Sequence, residues 1–291
     1  MEYVQMGDMK FSRVGLGTWA IGGWEWGGTD ETESIETIHA ALDTGINLID
    51  TAPVYGMGLS EEIVGKAVAA YGSRSDLVLA TKVGINWEGE SPYRDGSPER
   101  LHREIEDSLR RLQTDYIDIY QVHWPDPLVP IEDTAKEMRD LYEQDVIRAV
   151  GVSNFSPEQM DLFQEVAPLH TVQPPYNLFE RGIEDDILPY SQANNLILLT
   201  YGALCRGLLT GKMKPDTSFD EGDLRRTDPK FQEPRYTQYL EAVQRLDELA
   251  QERFGKRVLH LAIRWILDQG VEVAHCVRHP GQGECKYATV D

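Results

Sequence analysis

The feature that most constrains this chain is a rhythm: short apolar, β-type runs alternate with helical patterns at a nearly constant spacing. Eight such runs occur, at 14–17, 47–50, 77–82, 116–120, 148–151, 171–173, 197–201 and 272–274. Their ends are 22 to 38 residues apart, except for a final step of 73. A parallel strand, its crossover helix and two connections need roughly 30 residues. Helical signals fill the gaps. Segment 34–43 puts Ile35, Ile38 and Leu42 on one face, with Gly45 as a stop signal. Ser60-Glu61-Glu62 reads as an N-cap with an acidic first turn. Ser97-Pro98-Glu99-Arg100 and Ser156-Pro157-Glu158-Gln159 read the same way, with proline at the first helical position. Two patterns, 238–252 and 257–268, fill the long last step.

Eight such units favour an α/β fold of the (β/α)8 TIM-barrel type over an open doubly wound sheet. Gly15-Leu16-Gly17 does not complete a G-x-G-x-x-G fingerprint leading into a helix, which also argues against a dinucleotide-binding Rossmann unit. Segment 3–11, with Gly7-Asp8 at its middle, reads as a hairpin ahead of the first barrel strand. No linker or internal repeat divides the chain, so residues 1–291 are expected to form one domain. Segment 211–237 is the longest irregular stretch, and irregular stretches of that length are usually functional or disordered. After Ala274 only 17 residues remain, with Pro280 and two glycines among them. They are too few and too aperiodic for a helix closing the gap between strands eight and one. An incomplete or altered C-terminal end is therefore expected.

Composition excludes several classes. Lys and Arg total 28 against 49 Asp and Glu, a formal net charge of −21, which repels nucleic acid and anionic membranes. Any anionic ligand must then find a local cluster of Lys, Arg or helix N-termini. Three cysteines, Cys205, Cys276 and Cys285, make neither a disulfide framework nor a zinc motif. No signal-peptide pattern or apolar run of 18 residues is present, so a soluble, cytoplasmic protein is expected, as a monomer or weak homo-oligomer.

Barrel chemistry sits at the C-terminal strand ends. Asp50 ends strand two, Lys82 ends strand three and His123 follows strand four, with Tyr55 in the loop after Asp50. Taken singly, each has a structural reading, such as a helix cap, a solvated cation or a rim aromatic. Convergence on consecutive strand ends is what favours catalysis. A nearby ammonium is expected to lower the pKa of a phenol, and a carboxylate to hold that ammonium in place. The Tyr could then protonate a developing alkoxide while the His orients a carbonyl oxygen. The set has no Ser or Cys nucleophile paired with a base, and no metal-ligand cluster.

At this point the chain resembles the aldo-keto reductase family, from about Tyr3 to Gly270. The resemblance rests on Gly-Leu-Gly-Thr-Trp at 15–19, Asn-Leu-Ile-Asp-Thr-Ala-Pro-Val-Tyr-Gly at 47–56, Ala-Thr-Lys at 80–82 and Tyr-Ile-Asp-Ile-Tyr-Gln-Val-His-Trp-Pro at 116–125. Further motifs are Gly-Val-Ser-Asn-Phe at 151–155, Val-Gln-Pro-Pro-Tyr-Asn at 172–177 and Tyr-Gly-Ala-Leu-Cys-Arg-Gly-Leu-Leu-Thr-Gly-Lys at 201–212. By resemblance the catalytic tetrad is Asp50, Tyr55, Lys82 and His123, and a nicotinamide cofactor reduces a carbonyl while Tyr55 supplies the proton. Ser153, Asn154 and Gln173 would hold the carboxamide, with Tyr201 stacked on the ring. Thr18, Trp19 and Asp50 would border the nicotinamide or substrate end. Gly202, Leu204, Gly207 and Lys212 would meet the pyrophosphate, under a loop containing Arg225 and Arg226. Trp19, Trp24, Trp26, Trp87 and Trp124 are candidates for a substrate wall.

The family's segment after strand eight, of Gly-x-Arg-x-Pro-x-Gln type, meets the adenosine end. Here Arg278, Pro280 and Gln282 are retained, but Cys276 takes the glycine position, and the match ends soon afterwards. Arg278 favours NADPH over NADH through a 2′-phosphate. The altered end is expected to weaken cofactor binding more than chemistry. The competing function is a cofactor-binding regulatory module, or a catalytically impaired relative, on the same scaffold.

Overall fold

Residues 3–12 pair across Gly7-Asp8 as an antiparallel hairpin, β1 (Tyr3–Met6) with β2 (Met9–Ser12), as the turn signal predicts. The computed structural model describes residues 1–277. After the hairpin come β3 (Val14–Gly17), α1 (Glu31–Asp43), β4 (Leu48–Asp50), α2 (Leu59–Tyr71) and β5 (Val78–Val83). A second hairpin, β6 (Ile85–Glu88) and β7 (Ser91–Arg94), precedes α3 (Pro98–Leu112), β8 (Ile119–Val122), α4 (Ile131–Glu143), β9 (Val150–Ser153) and α5 (Pro157–Gln164). The series ends with β10 (Thr171–Gln173), α6 (Ile187–Ala193), β11 (Ile197–Thr200), α7 (Arg235–Phe254), α8 (Val258–Asp268) and β12 (Val273–Val277).

Eight of these strands close a parallel barrel in the order β3-β4-β5-β8-β9-β10-β11-β12, and β12 returns to pair with β3. All eight predicted strands are present, and the hydrogen-bonded ring is complete among the described residues. The expected missing helix and altered end lie outside them.

Two apolar regions hold the barrel. Side chains pointing outward from the strands, such as Leu16, Ile49, Leu79 and Val152, pack under helix residues such as Ile38, Ile63, Leu101, Met138 and Ile263. Inside the bore, Phe11 from the hairpin plugs the N-terminal end against Leu48, Val78, Ile119, Leu199 and Val273. Each such side chain contributes about 1.5–3 kcal/mol when fully buried. Arg13 fastens the plug by donating to the carbonyls of Leu267, Val271 and Glu272 at 3.0, 2.7 and 3.2 Å.

Ser97 accepts from Arg100 N at the start of α3, and Ser156 forms a full capping box with Gln159, as predicted. Ser60 does not cap α2. The helix starts at Leu59 after Gly58, so Ser60 falls inside the first turn and is fully buried. Its hydroxyl instead bonds Thr18 Oγ1 at 2.8 Å and Thr51 Oγ1 at 3.0 Å, tying two loops at the barrel mouth. The fourth and fifth barrel strands begin later than predicted. The Asp118 carboxylate takes Leu79 N at 2.9 Å in place of a backbone carbonyl and also meets the Arg74 and Arg148 guanidiniums, so only the single bridge Ile117–Ile147 precedes the regular ladder. The hairpin β6–β7 went unpredicted, although Gly89, with φ 60° at its turn, marks it. Segment 211–234 is irregular apart from single turns at Leu224–Arg226 and Pro229–Phe231, capped by Asp223 and Asp228.

Candidate active site

Parallel register brings the four strand-end residues to one place. Asp50 lies opposite Gly17 and Ala80, and Lys82 lies opposite Gln121. Above the apolar plug the bore therefore carries a polar layer. Lys82 Nζ donates to Asp50 Oδ1 at 2.6 Å and to the Thr51 carbonyl at 2.9 Å, and stands 3.4 Å from the Tyr55 hydroxyl. The other Asp50 oxygen accepts from Gln173 Nε2 at 2.9 Å and Gln121 Nε2 at 3.3 Å. His123 flanks the phenol edge-on, with ring centroids 5.9 Å apart.

Tyr55 is held by its loop. A Cβ on Gly56 would sit 2.1 Å from the Gly22 carbonyl oxygen, so the Tyr55 loop presses directly on the turn that begins at Trp19. The Trp19 ring stacks on Tyr55 at 6.1 Å, and Trp26 meets Trp19 edge-on at 5.4 Å.

The electrostatics divide labour among the four groups. Burial opposes the charge on Asp50, but Lys82 and the hydrogen bonds of Lys82 and Gln173 outweigh it and hold the carboxyl below its ordinary value. Burial, then the Lys82 charge, push His123 down to about 3 against the pull of Asp50. His123 is thus a neutral imidazole at physiological pH. Tyr55 departs from expectation: burial, then Asp50, raise its pKa well above the ordinary phenol value. Burial and Asp50 prevail although the Lys82 ammonium stands only 3.4 Å away. Tyr55 stays protonated.

Ser153, Asn154, Gln173 and Tyr201 also come together. The Ser153 hydroxyl donates to the Gln173 carbonyl at 2.8 Å, Asn154 Nδ2 to Ser153 Oγ at 3.0 Å, and the Tyr201 hydroxyl to Asn154 Oδ1 at 3.0 Å. Beside them a cavity of about 660 Å³ runs from Thr18, Trp19, Asp50 and Tyr55 past Tyr201, Gly202, Leu204 and Gly207 to Lys212 and Arg225. Its far wall carries the cations Arg206, Lys212 and Arg225, of which Arg206 is paired with Asp228 and Arg225 with Asp223, and the lining also includes Glu180. The residues present fit a nicotinamide dinucleotide: amide and hydroxyl groups at the bore end, cations and backbone at the loop end.

Arg225 is largely buried, paired to Asp223 at 2.5 Å, and lies over the rings of Trp26 and Phe219 at 5.0 and 4.5 Å. Arg226 lies outside the cavity wall. Among the predicted tryptophans, Trp19 and Trp26 line the cavity, whereas Trp24, Trp87 and Trp124 do not. Arg100 lies over the Trp87 ring, and Arg94 of the unpredicted hairpin lies over the Trp124 ring. Arg278 and Gln282 lie outside the described residues. Sequence reasoning missed Gln121, Arg206 and His275. Gln121 and Arg206 stand inside quoted motifs, while His275 had as its only signal a polar residue directly after the last apolar run.

No group of His, Cys, Asp and Glu suited to a metal ion occurs among the described residues, and no described helix is long and apolar enough to cross a membrane. The sequence model of the aldo/keto reductase family matches residues 13–284. The chain is 61% identical to the aldo-keto reductase YhdN of Bacillus subtilis (strain 168), over 98% of this chain and 87% of that protein. It is 35% identical to the NADH-specific methylglyoxal reductase of Escherichia coli (strain K12), over 92% and 86%. Among solved structures, the glycerol dehydrogenase AKR11B4 from Gluconobacter oxydans superposes with a TM-score of 0.88 at 55% identity, over 96% of this chain and 87% of that one. The matched motifs, the closed barrel and the convergence of the strand-end residues agree with these likenesses, and the chain belongs to the aldo/keto reductase family of oxidoreductases.

Proposed function

We propose that this protein is an NADPH-dependent reductase of aldehydes or ketones, reversible in principle, with Asp50, Tyr55, Lys82 and His123 as its catalytic groups. The observation that carries this reading is the Tyr55 hydroxyl 3.4 Å from a lysine locked to a buried carboxylate at 2.6 Å. A bound dihydronicotinamide supplies the hydride. The chain's own residues supply the rest. Tyr55, kept protonated by burial, delivers its proton to the developing alkoxide, and the Lys82 ammonium stabilises the phenolate left behind. Neutral His123 can donate a hydrogen bond to the carbonyl oxygen without competing as an acid. Asp50 holds the Lys82 ammonium pointed at the phenol.

Ser153, Asn154 and Gln173 would hold the carboxamide, with Tyr201 against the ring and Thr18 and Trp19 at its border. Gly202, Leu204 and Gly207 leave backbone exposed to the pyrophosphate, and Lys212 and Arg225 offer charge. The cationic far wall supports NADPH over NADH, since a 2′-phosphate adds charge for it to meet. The test is stopped-flow oxidation of NADPH and of NADH with a simple aldehyde, for wild type and Tyr55→Phe. Tyr55-dependent turnover with the higher kcat/KM for NADPH is expected; turnover that survives Tyr55→Phe would overturn the assignment of the proton donor.

A further inference from the structure

The bore's polar layer contains a group that the proposed chemistry does not use. His275, on β12, is 1% exposed and forms part of the cavity floor next to Asp50. Its neighbours lower in the bore, Leu199 and Val273, are aliphatic, so an imidazole is not required for filling space. The barrel makes room for it: His275 pairs with Gly15 on β3, and a Cβ at Gly15 would lie 2.3 Å from the ring Cδ2. His275 Nδ1 stands 3.5 Å from Gln173 Nε2, the amide nitrogen that also donates to Asp50 Oδ2 at 2.9 Å. Its Nε2 is buried with no hydrogen-bond partner among the described residues.

The chemistry of an amide decides what this contact does. A primary amide has two N–H protons and one oxygen. One Gln173 proton goes to Asp50, and the second points toward His275 Nδ1. The Gln173 oxygen must then turn away from the carboxylate. A histidine that accepts at Nδ1 carries its proton on Nε2, which here is buried on the Gly15 side of the ring. An aliphatic residue at this position would leave one amide proton unpaired and the Gln173 head free to rotate. Hydrogen bonds of this kind are often long before a ligand arrives and tighten when it binds.

We propose that His275 is a positioning residue for the nicotinamide end of the site, fixing the Gln173 amide through Nδ1 so that the amide oxygen accepts from the cofactor's carboxamide. The inference rests on the nicotinamide reading of the cavity. Asp50 from β4 and Lys82 from β5 are the charged groups acting on His275. Burial holds its pKa down to about 4 against the pull of Asp50, with Lys82 adding to the lowering.

The test compares two probes on the purified full chain: NADPH, and 2′-phospho-ADP-ribose, which lacks the nicotinamide. Titration calorimetry would be run on wild type, His275→Leu and His275→Gln. His275→Leu is expected to weaken NADPH about tenfold, the equivalent of one hydrogen bond, and to leave the nicotinamide-free probe within about twofold. His275→Gln, which can still accept from Gln173, is expected to recover most of the loss. Equal effects on both probes, or none on either, would overturn the proposal. Should His275→Leu fail to fold, long-range nitrogen–proton NMR on wild type decides: a proton on Nε2 is expected, and one on Nδ1 overturns the proposal. Failure of wild type to bind NADPH while binding 2′-phospho-ADP-ribose would refute the nicotinamide reading itself, and the proposal with it.

Discussion

The two ends of the cavity are built differently. At the bore end, Asp50, Lys82, Gln121 and Gln173 stand on barrel strands, and each finds its partner on another strand of the ring. At the loop end, Lys212 and Arg225 belong to irregular chain, and Arg225 is held by a local pair with Asp223, two residues away. The bore end is preorganised by the whole fold, whereas the loop end is organised by its own short contacts. Substitutions at the first end should therefore disturb chemistry and stability together. At the second they should mostly disturb cofactor affinity.

The largest expected effect that tests this contrast is Tyr55→Phe, which should cut kcat by about 10²–10⁴-fold, the usual range for a positioned proton donor. Tryptophan-to-nicotinamide fluorescence would show whether cofactor binding persists, as the separation of the two ends requires. Next comes Asp50→Asn. It leaves the Lys82 ammonium buried without its counter-charge, so unfolding free energy should fall by about 3–5 kcal/mol, measurable by urea denaturation. A loss under about 1 kcal/mol would mean that the bore relaxes as easily as the loop. Arg225→Met should raise the cofactor Kd by roughly 10- to 100-fold, since a charge-assisted hydrogen bond is worth about 1.5–3 kcal/mol. Its kcat should change far less, and an equal loss in both would erase the contrast. The smallest effect is Ser97→Ala, which removes a helix cap remote from both ends and should cost about 1 kcal/mol with unchanged kinetics.

Acid provides a further test confined to the bore. His123 and His275 have pKa values held down to about 3 and about 4, against 6.5 when unperturbed. The unfolded chain then binds more protons than the native one below pH 6.5, so stability falls as pH drops through that window. Asp50, whose carboxyl is held below 3.8, adds its own loss at lower pH still. The reductive rate should show no histidine ionisation between about pH 5 and 8, because His123 stays neutral there. A limb near pH 6.5 in wild type that vanishes in His123→Asn would show a solvated imidazole instead.

Much of the bore end was legible because its signals are local. Asp50 and Lys82 end apolar runs, and in a parallel barrel a polar residue ending such a run belongs at the mouth. Ser97 and Ser156 announce helices through a serine, a proline and an acid in sequence. Ser60 carries nearly the same signal and misleads, because the turn through Gly58 starts the helix early and leaves the hydroxyl to Thr18 and Thr51. Trp87 and Trp124 mislead for a similar reason. An aromatic count cannot tell which face of an unforeseen hairpin a ring takes. The phenol's raised pKa escaped sequence reasoning because proximity to Lys82 was visible, whereas burial was not.

The sequence by itself determined the eight barrel strands and the helical patterns between them, the N-terminal hairpin, the family and the four residues at the mouth, because strand period, caps and strand ends are properties of short stretches. Only the tertiary structure decided that Gln121, Gln173 and His275 share one layer with Asp50, and that Gly15 clears space for an imidazole 260 positions away. Those relations depend on the register of strands around a closed ring. Register is set by all eight strands at once, and no single segment carries it.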